Sequence, residues 1–400
     1  MRLLPLRTAD GTRDASRFAA PVAPVLAPAS RALAPVVAAL VLAAALLASC
    51  AASPSSRGVT SNGGAGATPL RDDPALLSGT LDNGMSWKVL ENREPANRLY
   101  LRLAVKAGSA LEADDQLGIA HLVEHMAFNG TARFPRKDLV GYFESIGMAF
   151  GPEVNAYTSF GETVYMLEIP ADDPAVLDRS LAVLADWAHA VSFDESELDR
   201  ERSVVVEEWR LGRGAQGRVR DRQIPLLFRG SRYANRKPIG DPETIKTIPR
   251  ARVVDFYRDW YRPELMSVLV VGDAEASRVA EAIKRELGSV PKSSTPARLP
   301  AFPVPVDGER VAQITRDAEL RYVTMQILEP SPTEPLRTKE GLRRELVDSI
   351  AYSILNARLA EKTLEPNPSV LAAEIGAWRF EGKTLYTTYA LVPAAGRFTD

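Results

Sequence analysis

His121-Leu122-Val123-Glu124-His125 places two of the chain's three histidines four residues apart, with a glutamate between them. Around this stretch, Gln116 to Phe128 is patterned as a helix. Ile119, Leu122 and Met126 fall on one stripe, and His121, Glu124, His125 and Phe128 on the opposite one. The apolar stripe suits a core. The other sets two imidazoles one turn apart, a spacing at which both can bind one zinc ion at about 2.0–2.1 Å each. Glu124 lies on the same side and can reach a metal-bound water without itself binding the metal. The competing interpretation is a pair of surface histidines beside a solvated glutamate.

A catalytic zinc keeps three protein ligands and one open position, so a third ligand has to come from elsewhere in the chain. Glu195 to Arg210 is a second helical stretch, rich in carboxylates. In it Glu201, Val205 and Glu208 stand at i, i+4 and i+7 on one face, while Glu207 points about 100° away. Glu208 is therefore a candidate ligand, and Glu201 a candidate hydrogen-bond partner for a ligating histidine. His189 lies near the end of a predicted helix, Pro174 to Val191, with no ligand spacing to anything, and reads as a structural or surface histidine.

These motifs resemble the pitrilysin/insulinase family of inverzincin metallopeptidases, which includes the mitochondrial processing peptidases. There an HxxEH helix is followed, about 75–85 residues on, by a ligand glutamate seven residues after another glutamate. Glu201-Arg-Ser-Val-Val-Val-Glu-Glu208 has that register. The resemblance extends to Leu81-Asp-Asn-Gly84, to His125-Met-Ala-Phe-Asn-Gly-Thr131 and to Asn155-Ala-Tyr-Thr-Ser159 with Thr163 and Tyr165. It continues through Tyr257, Trp260, Tyr261, Pro263 and Val268 to Asp273, and so covers Leu81 to at least Gly288. One departure is Gly161, where relatives often carry an acidic residue.

The resemblance implies an α+β fold in which two similar α/β domains, each a mixed sheet flanked by helices, face each other. It implies a zinc endopeptidase acting on short or unfolded polypeptides, with one Zn2+ per chain on His121, His125 and Glu208. Glu124 would then be the general base, taking a proton from the metal-bound water and passing it to the leaving amine. Asn155 and Ala156 would lie on a sheet edge where an extended peptide substrate adds as a strand. The alternative is a catalytically inactive family member serving as a binding or assembly subunit; such members usually lose motif residues, and this chain keeps them.

A chain of 400 residues has room for two domains, and 46% apolar with 25% charged residues is ordinary for a soluble globular protein. A formal net charge of −2 without a basic tract argues against nucleic-acid binding. The single cysteine, Cys50, excludes disulfides within the chain, a cysteine nucleophile elsewhere and thiolate zinc sites. An apolar run from Leu33 to Ala48 follows Arg31 and ends in Leu47-Ala48-Ser49-Cys50. It has the form of a signal peptide, shorter than the roughly 20 residues a spanning helix needs. Its ending resembles the bacterial lipobox, which implies a lipid on Cys50. With Ala51 next, the expected location is the outer membrane, facing the periplasm of a Gram-negative bacterium. An ordinary signal peptide or a short anchor is the alternative.

The expected organisation is a signal peptide (1–49), a flexible tether (50–75), the zinc-binding peptidase domain (76–288), a proline-rich linker (289–308) and a second, inactive homologous domain (309–400). Gly212 to Arg222 reads as an irregular polar stretch. The second unit carries predicted strands at Arg310 to Arg316, Tyr322 to Leu328, Val370 to Trp378 and Lys383 to Val392, with a helix from Lys339 to Lys362. It has no histidine, hence no second site of this kind. Since the family would start another helix where this sequence stops, the second domain is expected to be incomplete, with a missing C-terminal half or a second family subunit as partner.

Overall fold

In the computed structural model, residues 67–394 are described, apart from 307, 309 and 334. The apolar leader, Cys50 and most of the tether lie outside this range. The first unit is built on a six-stranded sheet of β1 (Leu77–Thr80), β2 (Ser86–Glu91), β3 (Leu99–Val105), β4 (Val154–Thr158), β5 (Thr163–Ile169) and β6 (Met266–Gly272). Their order across the sheet is β1-β2-β6-β3-β5-β4. Only β2 and β6 pair in parallel, so the sheet is mixed and β4 is an edge.

Alternation decides which face is covered. In β3, Leu99, Leu101, Leu103 and Val105 are all buried, while Tyr100, Arg102 and Ala104 stay half-exposed on the other face. Three helices pack on the buried face: α1 (Ile119–Ala127), α3 (Pro174–His189) and α8 (Ala276–Leu287). Between α1 and α3 come α2 (Arg136–Ser145) and β4–β5; α4 (Glu195–Leu211), α5 (Ala215–Leu227), α6 (Pro242–Thr247) and α7 (Arg250–Trp260) lead back to β6. Trp187 of α3 is fully buried and donates its indole N–H to Ala127 O at 2.8 Å, so it fixes where α1 ends.

The second unit is an antiparallel sheet of β7 (Met325–Pro332), β8 (Val370–Phe380) and β9 (Thr384–Pro393), in the order β7-β9-β8. Helix α9 (Lys339–Thr363) lies on β8, where Asn356 accepts from Ile375 N and donates to Ile375 O, both at 2.8 Å. The tip of the β8–β9 hairpin reaches the first unit. Phe380 and Tyr386 pack with Phe160, Phe228 and Tyr233, and Phe302 of the linker joins them.

Three local expectations need correction. Arg310 to Arg316 is not a strand: its apolar Val311 and Ile314 are 50% and 85% exposed and pair with no sheet. Instead Arg218 grips the following turn through Asp317 at 2.7 Å. The next strand, β7, begins at Met325 and runs on to Pro332. Most of Gly212 to Arg222 is helix α5, because Ile224, Leu227 and Phe228 at its far end pack into the aromatic cluster. Phe128 also differs. It caps the end of α1 and packs against Phe150, Tyr165 and Trp187, away from the histidines.

Candidate metal centre

Helix α1 starts abruptly. Gly118 takes φ +97°, and the turn at Gly240 approaches so closely that a Cβ there would lie 2.2 Å from Gly118 Cα. Two N–H groups of this first turn would be orphaned but for Glu112, whose buried carboxylate accepts from Gly118 N at 3.1 Å and Ala120 N at 2.9 Å. Burial pushes the Glu112 carboxyl up to about 8, against the opposing pull of those N–H groups and of Arg236 and Arg232. The helix then buries Ile119, Leu122, Val123 and Met126 completely, which fixes its rotation and turns His121 and His125 towards α4.

Helix α4 is started by Asp194, which accepts from Ser196 N and Glu197 N. Arg202 on it donates to Ile245 O and Ile248 O, both at 2.5 Å, and so ties α4 to α6. The crossing brings three side chains together. His121 Nε2 and His125 Nε2 are 3.3 Å apart, and Glu208 Oε2 lies 3.7 Å from the first and 3.6 Å from the second. A tetrahedral zinc at about 2.0–2.1 Å from each donor requires donors about 3.3–3.4 Å apart, so this triangle fits one zinc closely. The chemistry of the set agrees. Two imidazole nitrogens and a carboxylate oxygen stand within reach of one another as possible ligand atoms, and Glu208 Oε1 and His121 Nδ1 are buried without a hydrogen-bond partner.

The surroundings bias the charge. Burial and the neighbouring His125 depress the pKa of His121 well below the ordinary value, leaving its ring neutral. Burial opposes a charged His125 too, yet hydrogen bonds and attraction from Glu201 and Glu208 outweigh it and raise His125 to about 10. A proton and a metal cation satisfy the same field, so metal binding here displaces a proton. Glu201 Oε2 lies 2.9 Å from His125 Nδ1, which sets the ring's orientation and directs Nε2 at the other two donors. Glu207 turns outward and pairs with Arg210 at 2.6–2.7 Å.

Glu124 is 7% exposed, and burial raises its pKa to about 7; nearby Glu208 adds to the rise, while His125 and Thr158 oppose it. Asn155 and Ala156 are on the edge strand β4, whose register sets Asn155 opposite Met166 and Ala156 opposite Tyr165. The Ala156 N–H donates to Asn155 Oδ1 at 2.8 Å, so Asn155 covers the main-chain donor of its neighbour. His189 binds Ala185 O through Nδ1 and stands apart from the other two histidines.

Three contributors escape a reading by local pattern. Glu112 and Thr158 act on α1 from outside it, and only the tertiary fold brings them near. The third is Glu381, in the left-handed region (φ 48°) at the β8–β9 tip: its carboxylate fills the space beside Gly161, where a Cβ would come within 2.2 Å of Oε2. The missing side chain at 161 is what admits it.

The profile of the insulinase family (peptidase family M16) matches residues 88–214, and that of the M16 inactive domain matches residues 247–376. A "Zinc protease PQQL-like" protein of Arabidopsis thaliana is 38% identical over 300 residues, 75% of this chain and 31% of that one. The "Probable zinc protease PqqL" of Haemophilus influenzae is 35% identical over 320 residues, 80% of this chain and 35% of that one. The crystal structure of the first half of the periplasmic protease PqqL from Escherichia coli superposes with a TM-score of 0.76 at 30% identity, covering 82% of this chain and 70% of that one. The chain thus spans about a third of the length of the curated relatives it matches.

Proposed function

Since the chain belongs to the insulinase family of peptidases, family M16, we propose that it is a zinc-dependent endopeptidase acting on short or unfolded polypeptides. One zinc per chain is held by His121, His125 and Glu208. The observation that carries this is the triangle of donor atoms, 3.3 to 3.7 Å on a side, with the buried carboxylate of Glu124 beside it. Zinc bound there supplies a Lewis acid that polarises a carbonyl and makes water acidic enough to attack near neutral pH.

The chain's own residues do the rest. Glu124 takes the proton of the attacking water and passes it to the leaving amine; a carboxyl raised to about 7 is suited to both transfers near neutrality. Glu201 holds the His125 ring. On the edge strand β4, a peptide pairs main chain to main chain, after Asn155 releases the Ala156 N–H that it covers. Such pairing reads backbone, so it accepts extended or unfolded segments rather than folded ones.

The zinc-binding unit is placed at 76–288, the linker at 289–308 and a second, inactive unit from 309. A counterpart unit, from the same or another polypeptide, supplies the facing wall of the chamber. The E. coli relative is described as periplasmic; the same compartment, with a lipid on Cys50 holding the protein to the outer membrane, is proposed here. Equal detergent partitioning of wild type and Cys50→Ala would remove the lipid from this account.

The test of the activity is hydrolysis of an internally quenched, unstructured peptide. Zinc-dependent turnover, lost on chelation and restored by zinc, is expected. A wild-type protein that binds zinc and its peptide without cleaving it favours the non-catalytic alternative.

A further inference from the structure

A carboxylate removed from water needs donors. Among the described residues, Glu124 has one: Thr158 Oγ1, which donates to Oε2 at 2.5 Å. Thr158 is the last residue of β4, directly opposite Thr163 at the start of β5, and their hydroxyl oxygens are 3.2 Å apart. Thr163 is fully buried and donates to Ala107 O at 2.9 Å. A hydroxyl has a single hydrogen. Thr163 has committed its own to Ala107 and could only accept at the 3.2 Å contact; the single Thr158 hydrogen goes instead to the Glu124 carboxylate, the shorter contact and the stronger acceptor.

The position of that hydroxyl is set by the sheet. Beyond Thr158, the connection to β5 is pinned at its backbone, where Ser159 O and Phe160 O accept from Ser109 N and Ala110 N. The Phe160 ring is held in the aromatic cluster with Phe228, Tyr233 and Phe380. Glu124 comes from a different element, α1, and its long side chain has no other hydrogen bond to hold it.

We infer that Thr158 is a positioning residue: its hydroxyl anchors Oε2 of Glu124 and leaves Oε1 free of protein hydrogen bonds, available to water. This rests on the proton-transfer role proposed for Glu124. It also gives β4 two duties, since the strand offered to substrate ends in the residue that aims the base.

The experiment compares wild type with Thr158→Val, which keeps the branched shape without the hydroxyl, and Thr158→Ser, which keeps the hydroxyl. Zinc content, kcat, KM and the crystallographic orientation of Glu124 are read for each. Thr158→Val should bind zinc like wild type and keep KM within about 2-fold while kcat falls about 10- to 100-fold, the cost of a misplaced group. Thr158→Ala must reproduce the loss, and Thr158→Ser must restore kcat to within about 3-fold of wild type. A zinc-loaded Thr158→Val with wild-type kcat overturns the inference, and so does a serine variant as impaired as the valine one. Should wild type itself show no zinc-dependent hydrolysis, the peptidase reading fails on its own. The crystal structures then decide the inference: a Glu124 carboxylate unmoved in Thr158→Val refutes it, and a displaced one supports it.

Discussion

Replacing Glu201 by Gln or Ala tests whether the metal centre depends on more than its three donors. The Glu201 carboxylate is 8% exposed and sits 2.9 Å from His125 Nδ1, so it receives the ring N–H in a largely buried setting. Removing such a partner typically weakens metal binding about 10- to 100-fold, or about 1.4–2.8 kcal/mol. Glutamine keeps an acceptor and loses only the charge, so it belongs at the low end. Alanine leaves the Nδ1–H unpaired beside a cavity and frees the ring to rotate, so it belongs at the high end. Zinc affinity measured by competition with a chromogenic chelator at fixed pH separates the two. An unchanged affinity in Glu201→Ala would refute the claim that Glu201 orients His125, while leaving the donor triangle intact.

Other substitutions follow the same geometry. Glu208→Gln should lose most of the zinc and Glu207→Gln none, because only Glu208 faces the histidines; metal analysis of the purified variants showing the reverse would reassign the third ligand. Glu112→Ala strips the acceptor from two N–H groups at the start of α1 and should cost about 2–4 kcal/mol in denaturant unfolding. A midpoint shift near zero would mean water replaces it freely. Gly161→Ala should expel the Glu381 carboxylate from its seat and lower stability by about 1 kcal/mol, with zinc binding unchanged. An unmoved Glu381 in the crystal structure of that variant would contradict this.

The centre was legible in the sequence to the extent that helical periodicity carries it. His121, Glu124 and His125 share a side because four residues make about one turn, and Glu208 follows from Glu201 by seven residues. Strand β3 shows for a similar reason, a period of two over Leu99, Leu101, Leu103 and Val105. What local pattern could not reveal is whatever arises from contact between distant segments. The strand expected at Arg310 to Arg316 has two β-branched apolar residues, Val311 and Ile314, but they are three apart and the segment has no sheet edge to join. Helix α5 lacks a strong pattern, and Gly217 and Pro225 within it argue against a helix. It forms because Phe228 has an aromatic cluster to enter, and because Gly217 allows the chain to close on Gly212 O, which a Cβ would approach to 1.9 Å. Glu112 and Thr158 are ordinary polar residues until the fold sets them against α1.

A single zinc ion is proposed to sit between His121 Nε2, His125 Nε2 and Glu208 Oε2. X-ray data collected on both sides of the zinc absorption edge from crystals of the zinc-loaded protein test it directly. The account predicts one anomalous peak per chain at about 2.0–2.1 Å from each of the three atoms. A zinc peak on other residues, or none at this point after saturation with zinc, would contradict it.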